Sequence, residues 1–320
     1  MAQHETVQGV RSLEQKTSNN QRFQQSLWQV PNRGLLFDYQ FAGRRENLTI
    51  LTPGYSLWFR DTMQMVKANC LAEQICDHSQ PHVEQAARNG LVLLDIMQDA
   101  FQPGLLHPQL FSDPAIVFTL LVHDIGYASP NVTWENRYAI GHEAAGSQMI
   151  AELIESLPNG PTRSFLEPIL PTILHAISTD TDNRAEIMTA VADAEQTLSQ
   201  ERIFTLLVMA ADKVDYFRSG RIDNIPPPST YAENPYYFLA WMVENYELVY
   251  DKEAKKLQYV VHLYGEDAFS LEERKERLAV WEREVRTYFP HVLQLLEGIT
   301  QITGVKLVIE PGREVKESEL

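Results

Sequence analysis

Cysteine is nearly absent: Cys70 and Cys76 are the only two in 320 residues. That excludes a disulfide framework and suits a reducing compartment. Long apolar runs are missing too. None approaches the roughly 18 residues needed to span a bilayer. The opening Met1-Ala-Gln-His-Glu-Thr is polar and lacks the apolar core of a secretion signal. The expectation is a cytoplasmic protein with no membrane partner. Basic charge is also scarce, with 27 Lys and Arg against 43 Asp and Glu and a formal net charge of −16. A broad phosphate-backbone footprint is therefore not expected, and with it no nucleic-acid partner. A small anionic substrate stays open, because bound multivalent ions reverse the local field.

What is present is ordinary for a globular chain, 44% hydrophobic and 22% charged residues. The length suits one large domain, or a main domain with an annex. Residues 1 to 30 are rich in Gln, Asn and Ser and read as a tail, turning helical near Phe23 to Val30. Leu35-Leu-Phe-Asp-Tyr39 and Leu48-Thr-Ile-Leu-Thr52 have the texture of short strands, and Pro53-Gly54 reads as a turn. From Arg60 to about Tyr250 the pattern is helical. Val83, Ala86, Ala87, Gly90, Leu94, Met97 and Phe101 form one apolar stripe behind His82. Further helices are expected through Val122, from His142, around Pro171 to His175, from Ile203 to Phe217 and from Phe238 to Tyr250. Ser219 to Thr230 is too rich in Pro and Gly for a helix. Leu257 to Tyr264 and Val305 to Glu310 read as strands, with a charged helical segment, Leu271 to Leu296, ended or kinked by Pro290. The expected fold is mainly α, residues 31–250, with an α/β annex over 251–320 whose strands pair with those near 35–59.

The helical part is organised around Leu121-Val-His-Asp-Ile-Gly-Tyr127. A carboxylate at the end of the apolar run Ala115 to Val122 is costly to bury unless a cation or hydrogen-bond donors receive it. Adjacent His123 and Asp124 share a partner when a metal sits over the helix end. The other candidate ligands are His82, His142, His175 and Asp212, each in or beside an expected helix with apolar residues one turn away. Asp212 closes the run Leu206-Leu-Val-Met-Ala-Ala211 and needs a cation for the same reason. A mixed imidazole–carboxylate set suits Fe, Mn, Zn, Ni or Co better than Mg or Ca. No cysteine joins it, which argues against a structural zinc site. Lys213, Arg218 and Arg221 are candidate phosphate contacts, and Tyr127 a candidate base or phosphate contact. Each of these four also has a plain reading as a solvated helix end or as packing. The segment Arg218 to Tyr231 reads equally as a cover over the site or as a surface connection. His78, His107 and His291 fall outside the set.

The ordered series His82, His123-Asp124 and Asp212 resembles the H…HD…D signature of the HD-domain metal-dependent phosphohydrolases, over about residues 75 to 220. The resemblance implies an all-α HD-domain core in which the paired aspartate contacts metal. It also implies that His142 and His175 mark the subset with a dinuclear site, and hence two divalent or trivalent transition-metal ions. Ala211-Asp-Lys-Val-Asp-Tyr-Phe-Arg218 is similar to the closing segment of the bacterial dinucleoside-tetraphosphate hydrolases of that superfamily. The cyclic-dinucleotide branch usually carries Lys where this chain has Tyr127 and a doubled His where it has His175-Ala176. Its Gly-Tyr-Pro signature is absent as well.

The expected function is hydrolysis of a phosphoester or phosphoanhydride in a small phosphorylated molecule, a nucleotide foremost, by a metal-bridging hydroxide. Asp124, His123 and Lys213 are the expected catalytic residues, with a Lys or Arg stabilising charge on the equatorial oxygens. Two rival readings use the same residues. One is a diiron oxygenase of the same superfamily; the other is a regulatory module that binds a nucleotide without turnover. The strand-containing ends are free to mediate a homo-oligomer or to close the core.

Overall fold

The computed structural model describes residues 35–41, 44–51, 53–102, 104–129, 132, 141–179, 189, 191–192, 199–217, 221–222 and 234–312. The expected N-terminal tail and most of the Arg218–Tyr231 segment, Arg218 included, lie outside these residues. The chain packs as two units, Met1–Asp61 and Thr62–Leu320. The fold is mainly α with a small three-stranded sheet.

In the first unit β1 (Leu35–Phe41) and β2 (Arg44–Leu51) pair antiparallel, with Phe41 opposite Arg44. Two residues connect them, so a hairpin is the nearest way to satisfy both backbones. Among the described residues this hairpin replaces the expected pairing of these strands with the C-terminal ones. The local partner wins, and the C-terminal strands form a separate sheet. Pro53-Gly54, read as a turn, instead opens helix α1 (Pro53–Ala72). Proline suits that first position because its missing N–H has no intrahelical acceptor there.

The second unit is built on α2 (Gln80–Ala100), α3 (Asp113–Val122) and α7 (Gln200–Lys213). The stripe behind His82 is buried from Val83 to Met97, as its three- and four-residue spacing requires, and Phe101, just past the helix end, is half-buried. Helix α3 is buried on every side from Ala115 to Val122. Gly90 lets α2 and α3 come this close. A Cβ there would stand 2.2 Å from Leu120 Cδ1 and 2.8 Å from Ile116 Cγ2. Between α3 and α7 the chain forms α4 (His142–Ser156), the short α5 (Pro161–Leu166) and α6 (Leu170–Ser178).

Beyond α7 the helix α8 (Pro235–Trp241) stops early, and β3 (Val243–Asp251) replaces the helix expected to Tyr250. Val243, Tyr246 and Leu248 turn inward while Glu244, Asn245, Glu247 and Val249 face out, which a helix of this sequence could not achieve. The central strand β4 (Lys256–Leu263) pairs antiparallel with β3. It pairs parallel with β5 (Lys306–Pro311) after the crossover through α9 (Leu271–Tyr288) and α10 (Pro290–Thr303). Strand β4 alternates strictly, burying Leu257, Tyr259, Val261 and Leu263. Helix α9 opens on a capping box between Ser270 and Glu273. Pro290 ends one helix and starts the next. Among the described residues no helix is long and apolar enough to cross a membrane.

Candidate metal centre

Three chain segments deliver the site. His82 stands in the first turn of α2, His123 and Asp124 follow the last turn of α3, and Asp212 lies in the last turn of α7. Asn89 on α2 ties these elements together: its side-chain amide donates to Ala211 O at 2.9 Å and to Tyr246 Oη at 2.8 Å. One ligand atom from each of His82, His123, Asp124 and Asp212 falls within 4.8 Å of the others, and all four residues are buried.

The ring nitrogens are oriented by their outer partners. His123 Nδ1 lies 2.7 Å from Leu120 O, and a carbonyl only accepts, so Nδ1 carries the proton. His82 Nδ1 lies 2.7 Å from Asp215 Oδ2, whose other oxygen accepts from Tyr246 Oη at 2.9 Å. In the neutral rings both Nε2 atoms are therefore lone pairs turned inward. They meet Asp124 Oδ2, 3.2 Å from each, and Asp212 Oδ1, 2.8 Å from His82 and 3.2 Å from His123. His82 Nε2 is 2.8 Å from Asp212 Oδ1 yet makes no aligned hydrogen bond and is left without one, fully buried. Four acceptors facing one another demand a cation. Two imidazoles and two carboxylates fit a divalent transition-metal ion, and carboxylate- or carbonyl-backed rings are the usual outer support of such a site.

Protons take the place of that cation in the metal-free electrostatics. Burial disfavours the His123 imidazolium, but the Asp124 and Asp212 carboxylates outweigh it and hold His123 well above the usual histidine range. His82 is raised as well: burial and Arg221 oppose its charge, and contacts with Asp124, Asp212 and Asp215 overcome them. Burial alone would raise the two aspartates. His123 and His78 instead hold Asp124 well below the carboxylate range, and Lys213 with His123 does the same for Asp212.

The remaining expected residues divide. His142 Nε2 is 3.5 Å from Asp124 Oδ1, the carboxylate oxygen outside the four-atom group. It is brought there by a close approach of backbones. A Cβ on Gly126 would lie 1.7 Å from His142 O and 2.7 Å from Gly146 N. His175 is not brought in. Ile173, Ala176 and Ile177 face the core from α6, which turns the His175 side chain outward, 46% exposed, with Nε2 3.9 Å from Glu201. Lys213 Nζ is 2.6 Å from Asp212 Oδ2 and nearly buried. The Tyr127 ring is stacked between His78 at 4.3 Å and His142 at 4.1 Å, so it packs the wall of the site.

His78, set aside in the sequence, lies beside the centre. Its Nδ1 is 2.7 Å from Asp124 Oδ2 and its Nε2 is 3.1 Å from Cys76 Sγ. Burial opposes its charge, but Cys76 and Asp124 push it up to about 9. Asp215 was also missed, although its place three residues after Asp212 puts the two carboxylates on one side of the chain. His78 gave a fainter signal, four residues before His82 but outside the helix. The sheet reaches the same place: Tyr259 Oη donates to Val214 O at 3.2 Å, beside the Asp215–Tyr246 contact. Arg221 is 1% exposed. Its Nε donates to Asp77 O at 3.3 Å, Nη2 is 3.1 Å from His78 Nδ1, and Nη1 has no hydrogen-bond partner. No family model, curated protein or solved structure matches the chain.

Proposed function

We propose that this protein is a metal-dependent phosphohydrolase acting on a phosphoester or phosphoanhydride of a small molecule, a nucleotide foremost. The observation that supports it is the convergence of His82 Nε2, His123 Nε2, Asp124 Oδ2 and Asp212 Oδ1 with both histidine tautomers fixed from outside. A bound ion supplies Lewis acidity and lowers the pKa of a water towards neutrality. The chain does the rest. Asp215 and Leu120 O keep the two lone pairs aimed inward, Lys213 neutralises the outer oxygen of Asp212, and His78 fixes the rotation of Asp124.

Charge supports an anionic substrate. Around the centre the carboxylates Asp124, Asp212 and Asp215 face the cations Lys213 and Arg221 and the His78 imidazole, whose pKa is pushed up to about 9. A divalent ion added to these balanced charges would leave the centre net positive. Of the two ions implied by the resemblance, the first would be held by His82, His123, Asp124 and Asp212. The second would be held by Asp124 and His142, whose Nε2 lies 3.5 Å from Asp124 Oδ1, while His175 is turned outward.

The test combines metal content with anaerobic phosphate release, using full-length protein prepared without chelator and offered a panel of nucleotides. Asp124→Ala is expected to lose the metal and at least a thousandfold of the activity. Retention of both in that variant would refute the assignment. Consumption of oxygen by the iron-loaded protein without phosphate release would move the reading to an oxygenase.

A further inference from the structure

Among the described residues Arg221 is the buried charged side chain with the poorest hydrogen bonding. The residue is 1% exposed, and among the described residues no carboxylate forms an ion pair with it; Asp212 and Asp215 act on its charge from farther away. The fork is poorly satisfied as well. Nη1 has no hydrogen-bond partner. Nη2 faces His78 Nδ1 at 3.1 Å, but that nitrogen is 2.7 Å from Asp124 Oδ2 and must place its proton there, so it has no lone pair to offer. Five N–H groups are left with one acceptor, the carbonyl of Asp77.

A buried guanidinium with most of its N–H donors unsatisfied is among the costlier arrangements a fold can keep. Here the cost is located at the centre, because a single imidazole separates the fork from the metal-facing oxygen of Asp124. A second unsatisfied donor lies in the same segment. Ser79 Oγ, next to His78 and at the start of α2, is buried and has no hydrogen-bond partner. Tyr216 lies against the guanidinium, 5.9 Å from Cζ to the ring centroid, and closes one side.

We propose that Arg221 is the oxyanion-binding residue of this centre, taking the oxygens of a substrate phosphoryl group on its planar fork beside the metal group. A fork of parallel N–H donors matches phosphate oxygens two at a time, which a lysine at the same place cannot do. The inference deepens the hydrolase reading and rests on it only for the identity of the anion. The substrate class is then a molecule whose terminal phosphoryl group is unblocked, with oxygens free for both the arginine and the metal.

The test titrates orthophosphate into full-length, metal-loaded protein by calorimetry. Wild type is expected to bind. Arg221→Lys should weaken binding at least tenfold, and Arg221→Met should abolish it, both with unchanged metal per chain. Orthophosphate binding unchanged in Arg221→Lys, or absent in wild type, would overturn the proposal. So would displacement of orthophosphate by an equal concentration of formate, which marks a planar carboxylate site. Should Arg221→Met fail to fold, Arg221→Lys carries the comparison. Arg221-dependent phosphate binding without phosphate release from any nucleotide would sink the hydrolase reading and keep the subsite. Release with KM unchanged in Arg221→Lys would do the reverse.

Discussion

Asp215 touches no ligand position of its own, yet it sets the tautomer of His82. Its Oδ2 receives the Nδ1 proton at 2.7 Å, and its Oδ1 is held by Tyr246. Supporting carboxylates of this kind are worth about 10- to 100-fold in metal affinity. Asp215→Asn keeps an oxygen for the proton but loses the charge, so a loss near tenfold is expected. Asp215→Ala should approach a hundredfold. Competition against a chromogenic chelator measures both, and an unchanged affinity in the alanine variant would make His82 an ordinary core histidine. The sequence carried His82, His123, Asp124 and Asp212 because each pairs a costly polar group with an apolar helix. It could not carry His78, which lies in the irregular segment before α2, where the Ser79 N–H donates to Asp77 Oδ1. Nor could it tell His142 from His175: both sit on helices beside apolar residues, and only the packing of α6 turns one outward.

Helices were legible where their apolar stripes were long, as on α2, or where the whole segment was apolar, as on α3. Strand β3 was not, because Val243 and Tyr246 are three residues apart while Tyr246 and Leu248 are two apart. The tie is broken by pairing with β4, which no local spacing reveals. The turn after Asp124 shows how tightly one element fixes another. Gly126 is in contact with the first turn of α4, and its missing Cβ leaves room for His142 O. Gly126→Ala puts a methyl group against backbone atoms that have no rotamer to change. A loss of about 1–3 kcal/mol is expected for such overpacking. The displaced element is α4, so His142 should leave Asp124 while the four-atom group persists. The variant is therefore expected to melt lower, to keep its tightly held ion and to lose turnover. Loss of that ion would show that α4 holds the centre together.

Across the whole molecule, proton and metal compete for one set of atoms, and stability records the competition. His78, His82 and His123 have folded pKa values raised above the ordinary histidine value of 6.5, His78 to about 9. A raised value favours the protonated folded state, so these groups stabilise the metal-free fold fully below pH 6.5. That contribution fades as pH climbs through their folded values. Asp124 and Asp212 are shifted the other way, and their contribution is present above the usual carboxylate range and fails only in strong acid. Metal-free protein should therefore lose Tm between pH 6.5 and about 9, by roughly 2–4 °C for each kcal/mol for a unit of this size. Metal binding needs His82 and His123 deprotonated, so its apparent affinity rises over the same interval. The rise in Tm on adding metal should then be larger at pH 9 than at pH 6.5. Scanning calorimetry of stripped and reloaded protein at both values measures the difference directly. An equal rise at both would mean that no histidine proton leaves when the ion enters, and would place the metal somewhere other than the His82–His123 pair.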